Sequence, residues 1–391
     1  VALVFPVLIS SKENIMGLRK SLPVIVIFLG ALLLTTVQLS ATETRVGTMG
    51  GVGLYTHDNS NIFYFPGSIY TYSGQVVGEF RVKSADNSYT VGINYPVGDY
   101  SVLGIYLNRP INASIPGGIV DSVELTHTTD IFYGTQMTQF DLGLSLSLGL
   151  DSQKWGPDTS ENKESARYIA LGAGISHEAM DLGIRFELPS AKFEPPTGSE
   201  IKWSGFAFGA AGRMFRGETT KLVPLAALYY STTKAEVDTF ETKFKAMDLG
   251  LGIGINHELN DKNLLVMGLE VLGISQQKTS PDGGTETTET ITTLPGFFMG
   301  LESEIKPWLI GRFGVAQVFQ SSTTKSEPPT GAETKSTSRS SDFDVRFGLG
   351  IHFGDFLLDA AINEGLVFDG PNFISGSVNP MASRLSLTYE F

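Results

Sequence analysis

The stretch Phe140 to Leu150 reads FDLGLSLSLGL, and it constrains this chain more than any other feature. Successive side chains of a strand point to opposite faces, so Leu142, Leu144, Leu146, Leu148 and Leu150 share one face while Gly143, Ser145, Ser147 and Gly149 share the other. The scheme returns at Met247 to Ile255 (MDLGLGIGI) and at Phe343 to Phe353, where Phe347 and Leu349 alternate with Gly348 and Gly350. A water-facing sheet sets its core aliphatics against long charged residues. Here the opposite face is often Gly, Ser or Thr. A barrel in lipid has that pairing, with aliphatics outward and small or polar groups in the lumen. Leu144, Leu146, Leu251, Ile253, Phe347 and Leu349 are therefore expected to point outward, and Ser145, Gly252 and Gly348 inward.

Backbone groups exposed to hydrocarbon must be paired, so such a sheet has to close. No run of about 18 apolar residues follows residue 42, which removes a bundle of spanning helices. Sixteen candidate strands fit between residues 74 and 391. Tight turns such as Gln136-Met137, Glu178-Ala179, Asn260-Asp261 and Asp355 alternate with longer polar connections such as Ser152 to Ser165, Ser280 to Glu289 and Ser321 to Ser341. Short turns on one side, longer loops on the other and both termini at one rim require an even count. The expected fold is all-β: one closed antiparallel transmembrane β-barrel of 14–16 strands, with a short N-terminal plug segment.

Four regions follow. Residues 1–15 precede Met16 and read as an upstream extension from a mis-set start codon. Residues 16–41 carry Arg19, Lys20, the apolar run Leu22 to Val37 and a small residue, Ala41, which is the layout of a cleaved signal peptide. Residues 42–73 lack a clean period of two: Gly50-Gly51, Asp58-Asn59-Ser60-Asn61 and Pro66-Gly67 interrupt them, so they read as a periplasmic or plug segment. Residues 74–391 form the barrel. Phe63, Phe65, Pro66, Tyr70 and Tyr72 are the plug and lumen candidates, because an aromatic cluster is costly to leave in water and the lumen is the nearest cover.

Chemistry is sparse. With no cysteine there are no thiolate metal sites or cysteine nucleophiles, and a net charge of −13 argues against nucleic acid as a partner. His177, His257 and His352 each end a glycine-rich strand, but on different hairpins, which suits the membrane–water boundary better than a shared metal. The echo KFEPPTGSE (192–200) and KSEPPTGAE (325–333) reads as a rigid solvated turn. No phosphate loop, dinucleotide fingerprint or metalloprotease helix is present, so no enzyme, cofactor or metal is expected.

Two resemblances add to this. The chain ends SRLSLTYEF, with Leu385, Leu387, Tyr389 and Phe391 on one face. That ending resembles the C-terminal signal of bacterial outer-membrane proteins, which implies an outer-membrane location, outer-membrane lipid as surroundings and the barrel assembly machinery as a transient partner. The segment GTMGGVGLYTHDNSNIFYFPGSIYTYSG (47–74) resembles the N-terminal region of the long-chain fatty-acid transporter family of outer-membrane barrels. Asp58-Asn59 supply its polar stretch, and Phe65-Pro66-Gly67 stands where that family has Asn-Pro-Ala. The likeness implies about fourteen strands, an N-terminal plug and passage of hydrophobic molecules to a lateral opening. The leading expectation is an outer-membrane transport barrel that passes small solutes, hydrophobic ones included, through a partly plugged lumen. The alternatives are a general diffusion porin and a non-transporting anchor or adhesin barrel.

Overall fold

The alternating segments form strands that close on themselves. In a computed structural model that describes residues 43–82, 88–111, 125, 127–157, 161–362 and 381–391, sixteen antiparallel strands make one barrel. They are β1 (Gln75–Arg81), β2 (Ser88–Pro96), β3 (Ser101–Leu107), β4 (Thr128–Gln136), β5 (Asp141–Trp155), β6 (Asn162–His177), β7 (Met180–Glu194) and β8 (Ile201–Met214). They continue as β9 (Thr220–Val237), β10 (Phe240–Asn260), β11 (Asn263–Pro281), β12 (Glu286–Lys306), β13 (Leu309–Glu327), β14 (Thr334–Phe353), β15 (Phe356–Ile362) and β16 (Ala382–Glu390). Each strand pairs with its sequence neighbours, and β16 seals the ring against β1 from Gln75↔Glu390 to Arg81↔Arg384. The count of fourteen implied by the fatty-acid transporter likeness is corrected to sixteen. The regions 1–15 and 16–41 lie outside the described residues.

The faces fall as the alternation requires. Leu144, Leu251, Ile253 and Leu349 are exposed on the outer surface, while Ser145 and Ser147 are buried on the inner one. Gly252 and Gly348 face Tyr55 and Thr48 of the N-terminal segment, inside the ring. Leu385, Leu387 and Tyr389 share the outer face of β16, and Ser386 and Thr388 are buried behind them. At that seam Tyr389 stacks on Phe356 with ring centroids 4.6 Å apart, and Phe356 stacks on Phe353 at 5.3 Å. The Phe391 amide donates to the Gly74 carbonyl at 2.9 Å, so the barrel begins and ends at one rim, the rim of the short turns.

Beyond the apolar outer band the strands keep going, which the alternation did not signal. Ser321 to Ser341, read above as a long loop, is ladder from Ser321↔Arg339 to Ser326↔Thr334. Ser152 to Ser165 pairs directly as far as Trp155↔Asn162, and Ser280 lies opposite Lys243. These stretches are rich in Ser, Thr, Lys and Glu on both faces, so they carry no period of two in hydropathy even though the backbone pairs throughout. As a result β5 to β14 form a tall wall, while the described parts of β1–β4, β15 and β16 are shorter.

Candidate functional site

Residues 43–72 occupy the inner face of the barrel, and their local structure follows from their punctuation. A short helix α1 (Glu43–Thr48) leads to three 3-10 turns, Val52–Tyr55, Asn59–Phe63 and Pro66–Tyr72. Asp58 caps the second turn: its carboxylate accepts from the Ser60 amide at 3.0 Å, and its own amide donates to Asn61 Oδ1 at 3.1 Å. Pro66 starts the third turn, where a missing N–H costs nothing. The glycines of the inner wall make room for this segment. A Cβ on Gly314 would sit 2.1 Å from the Gly50 nitrogen, and one on Gly183 would sit 1.8 Å from the Tyr64 carbonyl oxygen. Gly143 is equally close to Pro66, and Gly254 and Gly268 lie under the Tyr55 ring.

The seats trace a path. Helix α1 packs on β13–β16, the Val52–Tyr55 turn on β9–β12, and the Pro66–Tyr72 turn on β3–β7. The segment therefore circles the inner wall against the direction of strand order and joins β1 at the short-turn rim. It is a collar.

Arginines fasten it. Arg213 of β8 is fully buried: Nε donates to Asp181 Oδ2 at 2.8 Å, Nη1 to the Leu54 and Thr56 carbonyls at 2.9 and 2.7 Å, and Nη2 to Asn61 Oδ1 at 2.7 Å. Its guanidinium lies 4.7 Å from the Phe65 ring centroid and 5.0 Å from that of Phe215. Arg45 of the collar reaches outward to Glu302 (2.8 Å) and back to Asp58 (2.7 Å), and Arg312 joins Glu302 to Asp359. Glu43 is held by Arg81 at 3.0 Å and by Arg384 at 2.8 Å. Higher in the lumen, Arg109 grips Asp130 with two bonds of 2.7 Å while covering the Phe63 ring at 4.4 Å. Arg185 ties Ser147 and Tyr168 to Glu187.

His57 lies beside this lock, its ring stacked on Phe215 at 4.0 Å and its Nδ1 4.0 Å from Asp181. Burial, and secondarily the Arg213 charge, push its imidazole down to about 4. Burial pushes the Tyr55 phenol up to about 12.

The five residues singled out from the sequence are distributed along this collar. Phe63 meets Tyr106 and Phe132 edge-on at 5.4 and 5.3 Å in a buried cluster with Ile62 and Ile69. Phe65 is fully buried against Arg213, and Pro66 against the Gly143 and Gly174 backbone. The Tyr70 hydroxyl donates to the Asp99 carbonyl at 3.3 Å at the rim, and the Tyr72 carbonyl accepts from Asn94. Sequence reasoning missed the fastening ion pairs. Their signal was available: Asp130, Asp181, Arg185, Arg213 and Arg312 are charged residues at inward positions of strands. His177, His257 and His352 lie near the short-turn ends of three separate strands, β6, β10 and β14, and no group of three or more metal-ligating side chains converges among the described residues.

No family model matches the chain, and no curated protein matches it. Solved structures do show likeness. The TodX monoaromatic hydrocarbon channel (deltaS2 mutant) is 11% identical over 89% of this chain and 98% of its own, with a TM-score of 0.37. Outer-membrane expressed OmpT of Vibrio cholerae is 11% identical over 81% and 96%, at 0.28. The copper transporter OprC is 9% identical over 74% and 68%, at 0.36. Likeness at this level carries no argument about function, so the functional reading rests on the chain's own geometry.

Proposed function

We propose that the chain is an outer-membrane transport barrel, and that residues 43–72 are a plug which narrows its lumen to a path for small solutes, hydrophobic ones included. The membrane part of this reading is supported by the outer band. From Trp308 to Phe319, both exposed, the chain climbs eleven residues. At about 3.3 Å per residue and a tilt near 40° that is roughly 28 Å, close to the apolar height of an outer-membrane barrel.

The observation that carries the transport reading is the fit between the collar and the wall. A sixteen-strand barrel leaves a channel unless something fills it. Here glycines of β5, β7, β10, β11 and β13 leave space that Pro66, Tyr64, Tyr55 and Gly50 occupy. Burying Ile62, Phe63, Phe65 and Ile69 supplies about 1.5–3 kcal/mol each toward holding the segment in place. An anchor barrel would have no use for a lumen built wide and then partly refilled.

The test is deletion of residues 46–70 in the full chain, followed by planar-bilayer recording and antibiotic susceptibility of the expressing cells. Increased conductance or permeability, with the barrel still assembled, is expected. Large steady steps from the intact chain would favour a general diffusion porin. No current even after the deletion would favour an anchor or adhesin.

A further inference from the structure

The tall wall carries a charge pattern that plug and pore leave unused. Just above the apolar band, on the outward face, lysines lie directly opposite one another across neighbouring strands. Lys154 faces Lys163, and Lys192 faces Lys202. Lys234 faces Lys243, and Lys245 faces Lys278. Lys325 faces Lys335 on the far side. Like charges directly opposite destabilise a sheet, so five such pairs at one level are unfavourable for the wall by itself. Lysines often guard exposed strand edges, but a closed barrel has none to guard.

The glutamates sit on the other side of this tier, toward the tips. Glu194 and Glu200 both bond Lys192, and Glu327 and Glu333 both bond Lys325, which is what the two EPPTG echoes build. The wall is therefore basic next to the apolar band and acidic above it. On β5 and β6 the pairing is looser: Lys154, Lys163 and Arg167 are exposed and make no ion pair among the described residues, although Glu194 lies directly opposite Lys163. Beside them an outward groove of about 530 Å³ has Ser152, Ser165, Ser190 and Ser204 among its small lining residues, with Arg167, Lys192 and Lys202 as its cations and Asp151 and Glu236 as its carboxylates. Leu150, at the top of the apolar band, forms its lower edge.

We propose that this groove, with the lysine tier around it, binds the phosphate groups of lipids in the outer leaflet. The height fits, because Ser152 and Lys154 follow Leu150 at once in the outward row and a lysine stem can lean toward the headgroup level. The side fits as well: the groove opens away from the lumen, where a lipid lies and a transported solute does not. Phosphates would relieve the repulsion between Lys154 and Lys163, which no ion pair among the described residues offsets.

The proposal rests on the membrane reading, and the experiment separates the two. Wild type and the triple variant Lys154→Ser/Lys163→Ser/Arg167→Ser, which spares the glutamate-bound lysines, are titrated in detergent with lipid A carrying two phosphates. Parallel titrations use lipid A stripped of phosphate, and inorganic phosphate as competitor. Bound lipid is counted by native mass spectrometry. Wild type should prefer the phosphorylated form, and each cation removed should weaken binding about fivefold, the factor for roughly 1 kcal/mol per surface cation. Where the triple variant does not assemble, loss of the same preference with rising salt in wild type is the expected result. Equal binding of both lipids, an unchanged triple variant, a salt-independent preference, or full competition by inorganic phosphate at equal concentration overturns it. A barrel that inserts into bilayers without that preference refutes only the lipid site, whereas one that never inserts refutes the membrane reading.

Discussion

Replacing Arg213 by Met removes the most heavily bonded fastener of the collar while keeping most of its volume. Four hydrogen bonds go with it: those to Asp181, the Leu54 and Thr56 carbonyls and Asn61. The Asp181 carboxylate, 1% exposed, is left without its guanidinium. Breaking a buried pair by deleting one partner costs about 3–5 kcal/mol. The two carbonyls lose a further bond each, at about 1 kcal/mol apiece. The strand ladders of β8 to β7 and β9 use backbone groups only, so most of this cost falls on the seat of the collar. A loss of 3–5 kcal/mol raises the population of the displaced collar roughly a hundred- to a few-thousandfold. Single-channel recording should then show frequent large openings in Arg213→Met that are rare in the wild type. The double variant Asp181→Asn/Arg213→Met should open less often than the single one, since its buried charge is gone. The two effects must therefore be non-additive. An assembled Arg213→Met barrel that stays closed, or a double variant as open as the single, would refute the reasoning.

Gly183→Ala places a Cβ 1.8 Å from the Tyr64 carbonyl oxygen, whereas Gly250→Ala meets nothing within 4 Å. The first should loosen the collar by about 1–3 kcal/mol and raise conductance, and the second should leave conductance unchanged. Leu146→Arg on the outer face should destabilise the inserted barrel by about 2–4 kcal/mol, while Gly250→Arg only narrows the lumen; equal losses in denaturant titrations would count against the face assignment. His57 is held neutral, with its pKa lowered from 6.5 to about 4. Its contribution is therefore complete above about 6.5 and fades as pH falls toward 4. Openings should become more frequent across that window and lose this dependence in His57→Gln. The effect should be modest, because the side chain is 41% exposed.

The barrel was legible because an apolar outer face imposes a simple code. Along the apolar outer band, as in FDLGLSLSLGL of β5, every second residue is apolar, and that period together with the alternation of short turns and longer connections placed sixteen candidate strands. The code ends where the apolar outer band ends. Ser321 to Glu327 and Thr334 to Ser341 are polar on both faces, so the sequence showed polar loops where the backbone continues its ladder. The inner side was half legible. Glycines announced a face of small residues, but a glycine left small for a wide channel reads the same as one left small for a neighbour. Gly250, with open space above it, and Gly254, with Tyr55 upon it, are four residues apart in GLGIG.

That ambiguity is resolved only by pairing distant segments. Arg45 finds Glu302, and Arg213 finds Asn61, across 257 and 152 residues. No local pattern predicts such partners, yet the requirement behind them is local. A charged residue at an inward strand position, such as Asp130, Asp181 or Arg312, cannot be left alone in a crowded lumen. It needs a partner from another strand or from whatever fills the barrel. In this chain both occur: Asp130 is satisfied by Arg109 beside β3, and Arg213 by Asp181 together with three groups of the collar. The second kind makes the wall and the collar depend on each other. A wall built to hold Arg213 without the collar would need other acceptors for three of its four bonds, and the described barrel strands offer only Asp181.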